Sequence, residues 1–204
     1  MRVIYYTASS LDGFLADPDH SLAWLFAQQH AEPEDPNLRM DTLPGRTAAL
    51  VMGSSTYQFI RDEASDAVSD AGSDVPWPYP QPTWVFSHRE QEPINGADLR
   101  FTSGDVVEVV EEIEAVVEAN ASDDGADPDA VLWVVGGGDL AGQFIDAGLL
   151  DEVIISYAPV TLGEGAPLLS RRCQLSLVNM ETAGDFISAR FTVEGPRPAA
   201  DWAV

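Results

Sequence analysis

Two short stretches carry the residue types and spacing that chemistry would need. Val51-Met52-Gly53-Ser54-Ser55-Thr56 and Val134-Val135-Gly136-Gly137-Gly138-Asp139-Leu140 each run from apolar residues into small ones. That is the pattern of a buried strand turning into a helix. Glycine lets the backbone approach a ligand closely, and the free N–H groups of a helix start attract phosphate. Neither stretch is a G-x-G-x-x-G fingerprint, and the chain has no lysine to serve a P-loop. A single triple glycine is equally compatible with a tight turn that binds nothing. Two such turns, each after a buried strand, point to a dinucleotide held at the carboxyl ends of an open α/β sheet.

The elements that must position these turns follow from periodicity. Arg2–Ala8, Thr47–Met52, Thr83–Ser87, Val131–Val135 and Glu152–Tyr157 read as buried strands. A short helix is expected over Leu22–Gln29 with Ser21 as its N-cap, a long one over Val106–Val117, and another over Asp139–Ala147 ended by Gly148. Glu32–Leu43 and Glu63–Gln81 read as loops, and Ser122–Pro128 as an acidic solvated turn. Gln174–Glu181 and Phe186–Glu194 flank Ala183-Gly184-Asp185 as a hairpin. Strand and helix alternate and a hairpin closes the chain. The expected fold is therefore α/β, a mostly parallel central sheet with an antiparallel C-terminal hairpin and helices on both faces, as a single domain over 1–204.

Composition narrows the function classes. With 34 acidic residues against 10 basic ones, all arginine, the net charge is −24. Such a field repels phosphate backbones, so nucleic acid is not an expected partner. No stretch approaches the roughly 20 apolar residues of a membrane helix, and the first residues enter a strand pattern rather than a signal peptide. One cysteine, Cys173, and three histidines leave no expected zinc cluster or disulfide framework. A cytoplasmic location is expected, with a small molecule as partner.

Six segments together resemble the dihydrofolate-reductase superfamily, in its branch related to the reductase domain of riboflavin biosynthesis. They are Ser10–Ala16, Met52–Tyr57, Val85–Arg89, Val134–Leu140, Leu150–Val153 and Pro159–Leu168, in the family's order. The resemblance implies NADPH as cofactor and a dihydrofolate-reductase-like fold. It places Ala8 beside the nicotinamide and Leu11-Asp12-Gly13 in a loop over nicotinamide and substrate. Gly53, Ser54, Ser55 and Thr56 would hold phosphates, and Ser87, His88 and Arg89 would lie by the adenosine ribose. Gly136, Gly137, Gly138, Asp139 and Leu140 would line the pyrophosphate, with a cis peptide expected between Gly136 and Gly137. Relatives often pair as homodimers, and the apolar late strands are a candidate interface.

The sequence also departs from that family. Ser54, Ser55 and Asp139 stand where classical members carry basic residues, which leaves Arg89, helped by His88, to select the 2′-phosphate. Ser21 stands where the classical catalytic carboxylate would be, and serine has no pKa suited to general acid work. Asp12 is the remaining nearby carboxylate, as catalytic and substrate-touching residue or as the organiser of its loop. Trp24 is a candidate to stack on a flat substrate. The expected activity is NADPH-dependent hydride transfer to a pteridine- or pyrimidine-like ring, true dihydrofolate reduction being disfavoured. The alternatives are a riboflavin-pathway ribosylaminopyrimidine reductase and a nucleotide-binding module without turnover.

The acid excess further suggests adaptation to a salt-rich cytosol, where screening relieves self-repulsion. The melting temperature is then expected to rise between low and molar KCl, and a flat or falling curve would contradict this.

Overall fold

The computed structural model describes residues 1–39, 42–43, 47–68, 77–120, 127 and 129–198. In chain order the strands are β1 (Arg2–Ser10), β2 (Phe14–Ala16), β3 (Thr47–Gly53), β4 (Thr83–Phe86), β5 (Leu99–Thr102), β6 (Val131–Gly136), β7 (Glu152–Ala158), β8 (Ala166–Pro167), β9 (Cys173–Ala183) and β10 (Phe186–Pro196). The helices are α1 (Ala23–Phe26), α2 (Ser54–Val68), α3 (Val106–Ala119) and α4 (Gly138–Asp146), with a 3₁₀ turn at Pro36–Leu38.

Eight strands form one sheet in the order β5-β4-β3-β6-β1-β7-β10-β9. The first six run parallel, and β10 joins β7 antiparallel and carries β9 on its outer edge. Strands flanked on both faces must be apolar along their whole length. Accordingly Ala49–Met52, Val131–Val134 and Val153–Ile155 are almost wholly buried. Alternate residues feed opposite sides: Val3, Tyr5, Val51, Val134, Val153 and Ile155 pack with α3 and α4, whereas Ile4, Tyr6, Leu50, Trp133 and Ile154 form a cluster on the other face. There Tyr57 of α2 packs on Met52 and Val85. Helices therefore cover both faces, as expected.

Several local expectations are corrected. Helix α2 continues through Glu63 to Val68, where a loop was expected. In the same expected loop, Trp77 and Tyr79 pack inward, with ring centroids 5.8 Å from Trp77 to Tyr57 and 5.6 Å from Tyr79 to Trp133. Aromatic burial overrode the turn-like prolines; 69–76 lie outside the described residues, as does most of the Ser122–Pro128 turn. The expected helix over Leu22–Gln29 shrinks to α1, because Leu22, not Ser21, occupies the N-cap position. The Glu32–Leu43 stretch holds the 3₁₀ turn and buries Leu38 and Leu43. Strand β5 gave no expectation: Arg100 interrupts its short apolar run, and its pairing with β4 alone defines it.

At the amino end of β7 a partly buried ion cluster joins three strands. Glu152 accepts from Arg190 Nε at 2.8 Å and Nη2 at 2.7 Å, and from Arg2 Nη1 at 3.2 Å. Its carboxylate is 9% exposed. Removing Glu152 leaves two arginines that are 20% and 37% exposed, so Glu152→Ala is expected to cost about 2 kcal/mol by urea unfolding. The Glu152→Leu, Arg190→Met pair should recover most of that loss, and a single-variant loss below about 1 kcal/mol would contradict the assignment.

Candidate functional site

The carboxyl ends of β1, β3, β4, β6 and β7 lie along one edge of the sheet, because these strands are parallel. Both glycine turns open there. The pairing of β3 with β6 runs to Met52 opposite Gly136, the last residue of β6, so the turns sit side by side. The contact is close enough to dictate residue type. A Cβ on Gly136 would lie 2.7 Å from Thr56 Oγ1, and one on Gly138 would lie 2.1 Å from the Pro167 carbonyl oxygen. A Cβ on Gly137 would come within 3.9 Å of the Gly53 backbone.

Gly137 has φ 98° and ψ 100° and takes the N-cap position of α4. L residues avoid this region. The expected cis peptide between Gly136 and Gly137 is corrected: no cis bond occurs among the described residues, and the positive φ of Gly137 makes the turn instead. The first helical bond of α4 runs from Ala141 N to Gly137 O at 3.0 Å. The N–H groups of Gly138, Asp139 and Leu140 precede it and face an anion-favouring helix start.

A wedge opens on the other side of this turn. Strand β1 pairs with β7 as far as Ser10 opposite Ala158, but with β6 only as far as Tyr5 opposite Val134. Beyond that point β6 stays paired with β3 to Gly136, and Ala8 of β1 pairs with β7 alone, opposite Ser156. At the far end, Ser87, His88, Arg89, Gln91, Phe101 and Thr102 line an open cleft of about 550 Å³ between the ends of β4 and β5. Gln58 Nε2 of α2 donates to Gln91 Oε1 at 3.2 Å, and Tyr57 Oη to the Glu92 carbonyl at 2.5 Å, tying the cleft loop to the helix of the first glycine turn. From wedge to cleft is three strand spacings, about 14 Å, the scale of an extended dinucleotide.

The side chains divide by what they already hold. Among the described residues the hydroxyls of Ser54, Ser55 and Thr56 have no protein partner, and Arg89 is exposed with no ion pair. Ser87 is committed: its Oγ donates to the Arg89 carbonyl at 2.8 Å and accepts from Arg89 N at 3.1 Å. It shapes the turn that presents Arg89. Asp139 is turned aside, its carboxylate accepting from Gln143 Nε2 at 2.9 Å and facing Arg171 Nη1 at 3.1 Å. The Gln143 bond, with Arg171 helping, holds it below the ordinary carboxylate range. Only its backbone faces the turn. Leu140 is buried and likewise offers backbone alone.

Asp12 is a latch. Its carboxylate accepts from Ser10 Oγ at 2.6 Å, from Leu162 N at 3.1 Å and from Gly163 N at 2.7 Å. Ser10 Oγ in turn accepts from Phe14 N at 2.9 Å. The loop between β1 and β2 is thereby tied to the one between β7 and β8, and Leu168 N donating to the Gly13 carbonyl at 2.9 Å closes it. The Ser10 hydroxyl bond, then the Gly163 amide, hold the acid below its usual pKa, which suits a fixed anion and not a proton donor. Of the two roles expected for Asp12, catalytic and loop-ordering, these bonds are the ones a loop-ordering carboxylate would make. Ser10 and the Leu162–Gly163 amides went unnoticed in sequence; the Ser-x-Asp-Gly spacing was the available signal. Trp24 is half-buried, its indole N–H enclosed without an acceptor. Among the described residues it makes no hydrogen bond or ring contact with either glycine turn. Ser21 caps its neighbour, its Oγ accepting from Ala23 N at 3.1 Å.

Because the folded-state acid of Asp12 is depressed, the latch is complete above the ordinary carboxyl range and is lost as pH falls through the lowered value. Protection of the Leu162 and Gly163 amides, measured against the intrinsic exchange rate at each pH, should fall on acidification, and at neutral pH by at least about tenfold in Asp12→Ala. Unchanged exchange in that variant would show that the latch does not hold the loop.

The family model of the RibD C-terminal domain matches residues 1–186. The uncharacterized Bacillus subtilis protein YyaP is 26% identical over 189 residues, 89% of this chain and 88% of YyaP. A protein of Shewanella sp. PV-4, provisionally assigned to riboflavin biosynthesis, superposes with TM-score 0.67 at 25% identity, covering 95% of this chain and 99% of its own. The Thermotoga maritima diaminohydroxyphosphoribosylaminopyrimidine deaminase/5-amino-6-(5-phosphoribosylamino)uracil reductase gives 0.59 at 18% identity, over 94% of this chain and 56% of that one. Enterococcus faecalis dihydrofolate reductase, solved with NADP(H), gives 0.50 at 14% identity, over 95% and 96%. The chain belongs to the RibD C-terminal domain family and has its dihydrofolate-reductase-like fold.

Proposed function

We propose that this chain is an NADPH-dependent reductase passing hydride to a pteridine- or pyrimidine-like ring, within a salt-rich cytoplasm. The observation that carries the reading is the pair of glycine turns side by side at one sheet edge, with no room for a Cβ on Gly136. A pyrophosphate fits there by chemistry: uncommitted N–H groups at the start of α4 face unpartnered hydroxyls at the start of α2. NADPH, when bound, supplies the hydride.

The protein's own task is to hold two rings in register and keep water out. In this reading Gly53, Ser54, Ser55 and Thr56 with Gly136, Gly137, Gly138, and the amides of Asp139 and Leu140, hold the phosphates. Ala8 borders the nicotinamide through the wedge between β1 and β6. The Asp12 latch steadies the loop over the rings and Trp24 offers a face to the substrate. Arg89, presented by Ser87 and next to His88, meets the 2′-phosphate. Its guanidinium is uncommitted on a chain of charge −24, and paired N–H groups suit a phosphate.

Reduction of a ribosylaminopyrimidine is the specific activity that the Thermotoga relative's reductase half suggests. A second reading, a nucleotide-binding module without turnover, draws on one observation: Ser21, where a carboxylate would act, only accepts from Ala23 N.

Loss of the reduced-nicotinamide absorbance with a panel of pterins and ribosylaminopyrimidines is expected with NADPH. Binding without oxidation across the panel would favour the module, and no binding would overturn both readings. In the same assay, or in binding if turnover is absent, Arg89→Ala should cut the preference for NADPH over NADH by about 10- to 100-fold. An unchanged preference would remove Arg89 from the site.

A further inference from the structure

Helix α4 carries a glycine in its middle that no phosphate contact calls for. Glycine in a helix interior is disfavoured relative to alanine, so Gly142 needs a neighbour that forbids a side chain. That neighbour is Arg171: a Cβ on Gly142 would lie 2.7 Å from its Cγ and 3.0 Å from Ser170 Oγ. Gly138, one turn earlier, is bare for the carbonyls of Pro167 and Leu168 in the same way. The segment after β8 is therefore laid along α4 from its start, and the stem of Arg171 crosses the helix at Gly142. Its guanidinium reaches the row of Asp139, Gln143 and Asp146, positions that share a helix face. Nε donates to Asp146 Oδ2 at 2.8 Å, and Nη1 donates to Ser170 Oγ at 2.9 Å and lies 3.1 Å from Asp139 Oδ1.

Asp139 is an awkward residue for a helix whose start receives a pyrophosphate. A carboxylate in the first turn is favoured by the same N–H groups and the same dipole that attract a phosphate. The two anions would share one turn of helix, about 5 Å of rise, well inside the roughly 10 Å screening length of 0.1 M salt. Burial does not silence this acid, because its side chain is 66% exposed. Stability does not ask for an arginine here either, since exposed ion pairs contribute little. Yet one of only 10 basic residues, set against 34 acidic ones, is placed on it.

We propose that Arg171 is a positioning residue for the cofactor: it neutralises the Asp139 carboxylate and, with Gln143, holds it along the helix, so that the start of α4 meets a pyrophosphate without a competing anion. Arg171 acts through Asp139 and does not itself touch the phosphates. This rests on the glycine turns being the pyrophosphate site, and it gives Gly142 its purpose, which is to let the arginine lie close.

Equilibrium binding of NADPH to the full chain, by calorimetry at 0.1 M KCl, tests it. Arg171→Gln should weaken binding about 5- to 20-fold, the scale of one like-charge repulsion near a protein surface. The ratio to the parent should narrow in molar KCl, where the screening length falls to about 3 Å. Asp139→Asn can keep the bond from Gln143 and should bind more tightly than the parent. Combined with Arg171→Gln, it should restore parental affinity to within about twofold. Gly142→Ala, which favours the helix but displaces the arginine, should weaken binding as Arg171→Gln does. Circular dichroism checks that each variant is folded. A parent that bound no NADPH would overturn the reductase reading and this role together. With a parent that binds, the role alone is overturned by unchanged affinity in Arg171→Gln, by a loss that molar KCl leaves intact, or by a loss that Asp139→Asn does not rescue. Should Arg171→Gln not fold, unchanged or weaker binding in Asp139→Asn would overturn it equally.

Discussion

The backbone contact between two bends far apart in the chain constrains the rest of the molecule. Strands β3 and β6 must stay paired as far as Met52 and Gly136 for Gly53 to lie beside Gly136, and Thr56, in the first turn of α2, must pack where Gly136 has no side chain. Gly138 must lack one for β8 to cross the start of α4. Each glycine therefore answers to a neighbour from another part of the sequence. The same bareness leaves N–H groups open at the sheet edge, so the packing requirement and the proposed phosphate site have one cause.

Stability and site geometry are separated along the strands. The Glu152–Arg190–Arg2 cluster secures the amino end of β7 to its neighbours, leaving the carboxyl ends to diverge. There β1 follows β7 and abandons β6, which opens the wedge. The loops above it are held by directional bonds to Asp12 and Gly13, not by burial. An exposed, polar clasp of this kind can open at less cost than core packing, as a cover over an exchanging ligand requires.

Much of this was legible in the residues. Buried strands declared themselves by continuous apolar runs, and the turns at Gly53 and Gly136 by small residues following them. The hairpin was marked by Ala183-Gly184-Asp185. What escaped depended on contacts distant in sequence. Strand β5 exists because β4 lies beside it, and Trp77 and Tyr79 are held in by Tyr57 and Trp133, which no local pattern announces. Asp12 was recognised as a carboxylate in the right place. Its commitment to the amides of Leu162 and Gly163, some 150 residues away, was invisible. Asp139 repeats the lesson, since Arg171 and Gln143 take up its charge.

The convergence of the two bends on one ligand is tested most directly by a crystal structure of the chain soaked with NADPH. The account predicts pyrophosphate density between Gly53–Thr56 and Gly136–Leu140, with the nicotinamide toward Ala8 and the adenosine toward Arg89. Density for the dinucleotide elsewhere on the molecule, or a cofactor that spans the edge without touching either bend, would contradict it.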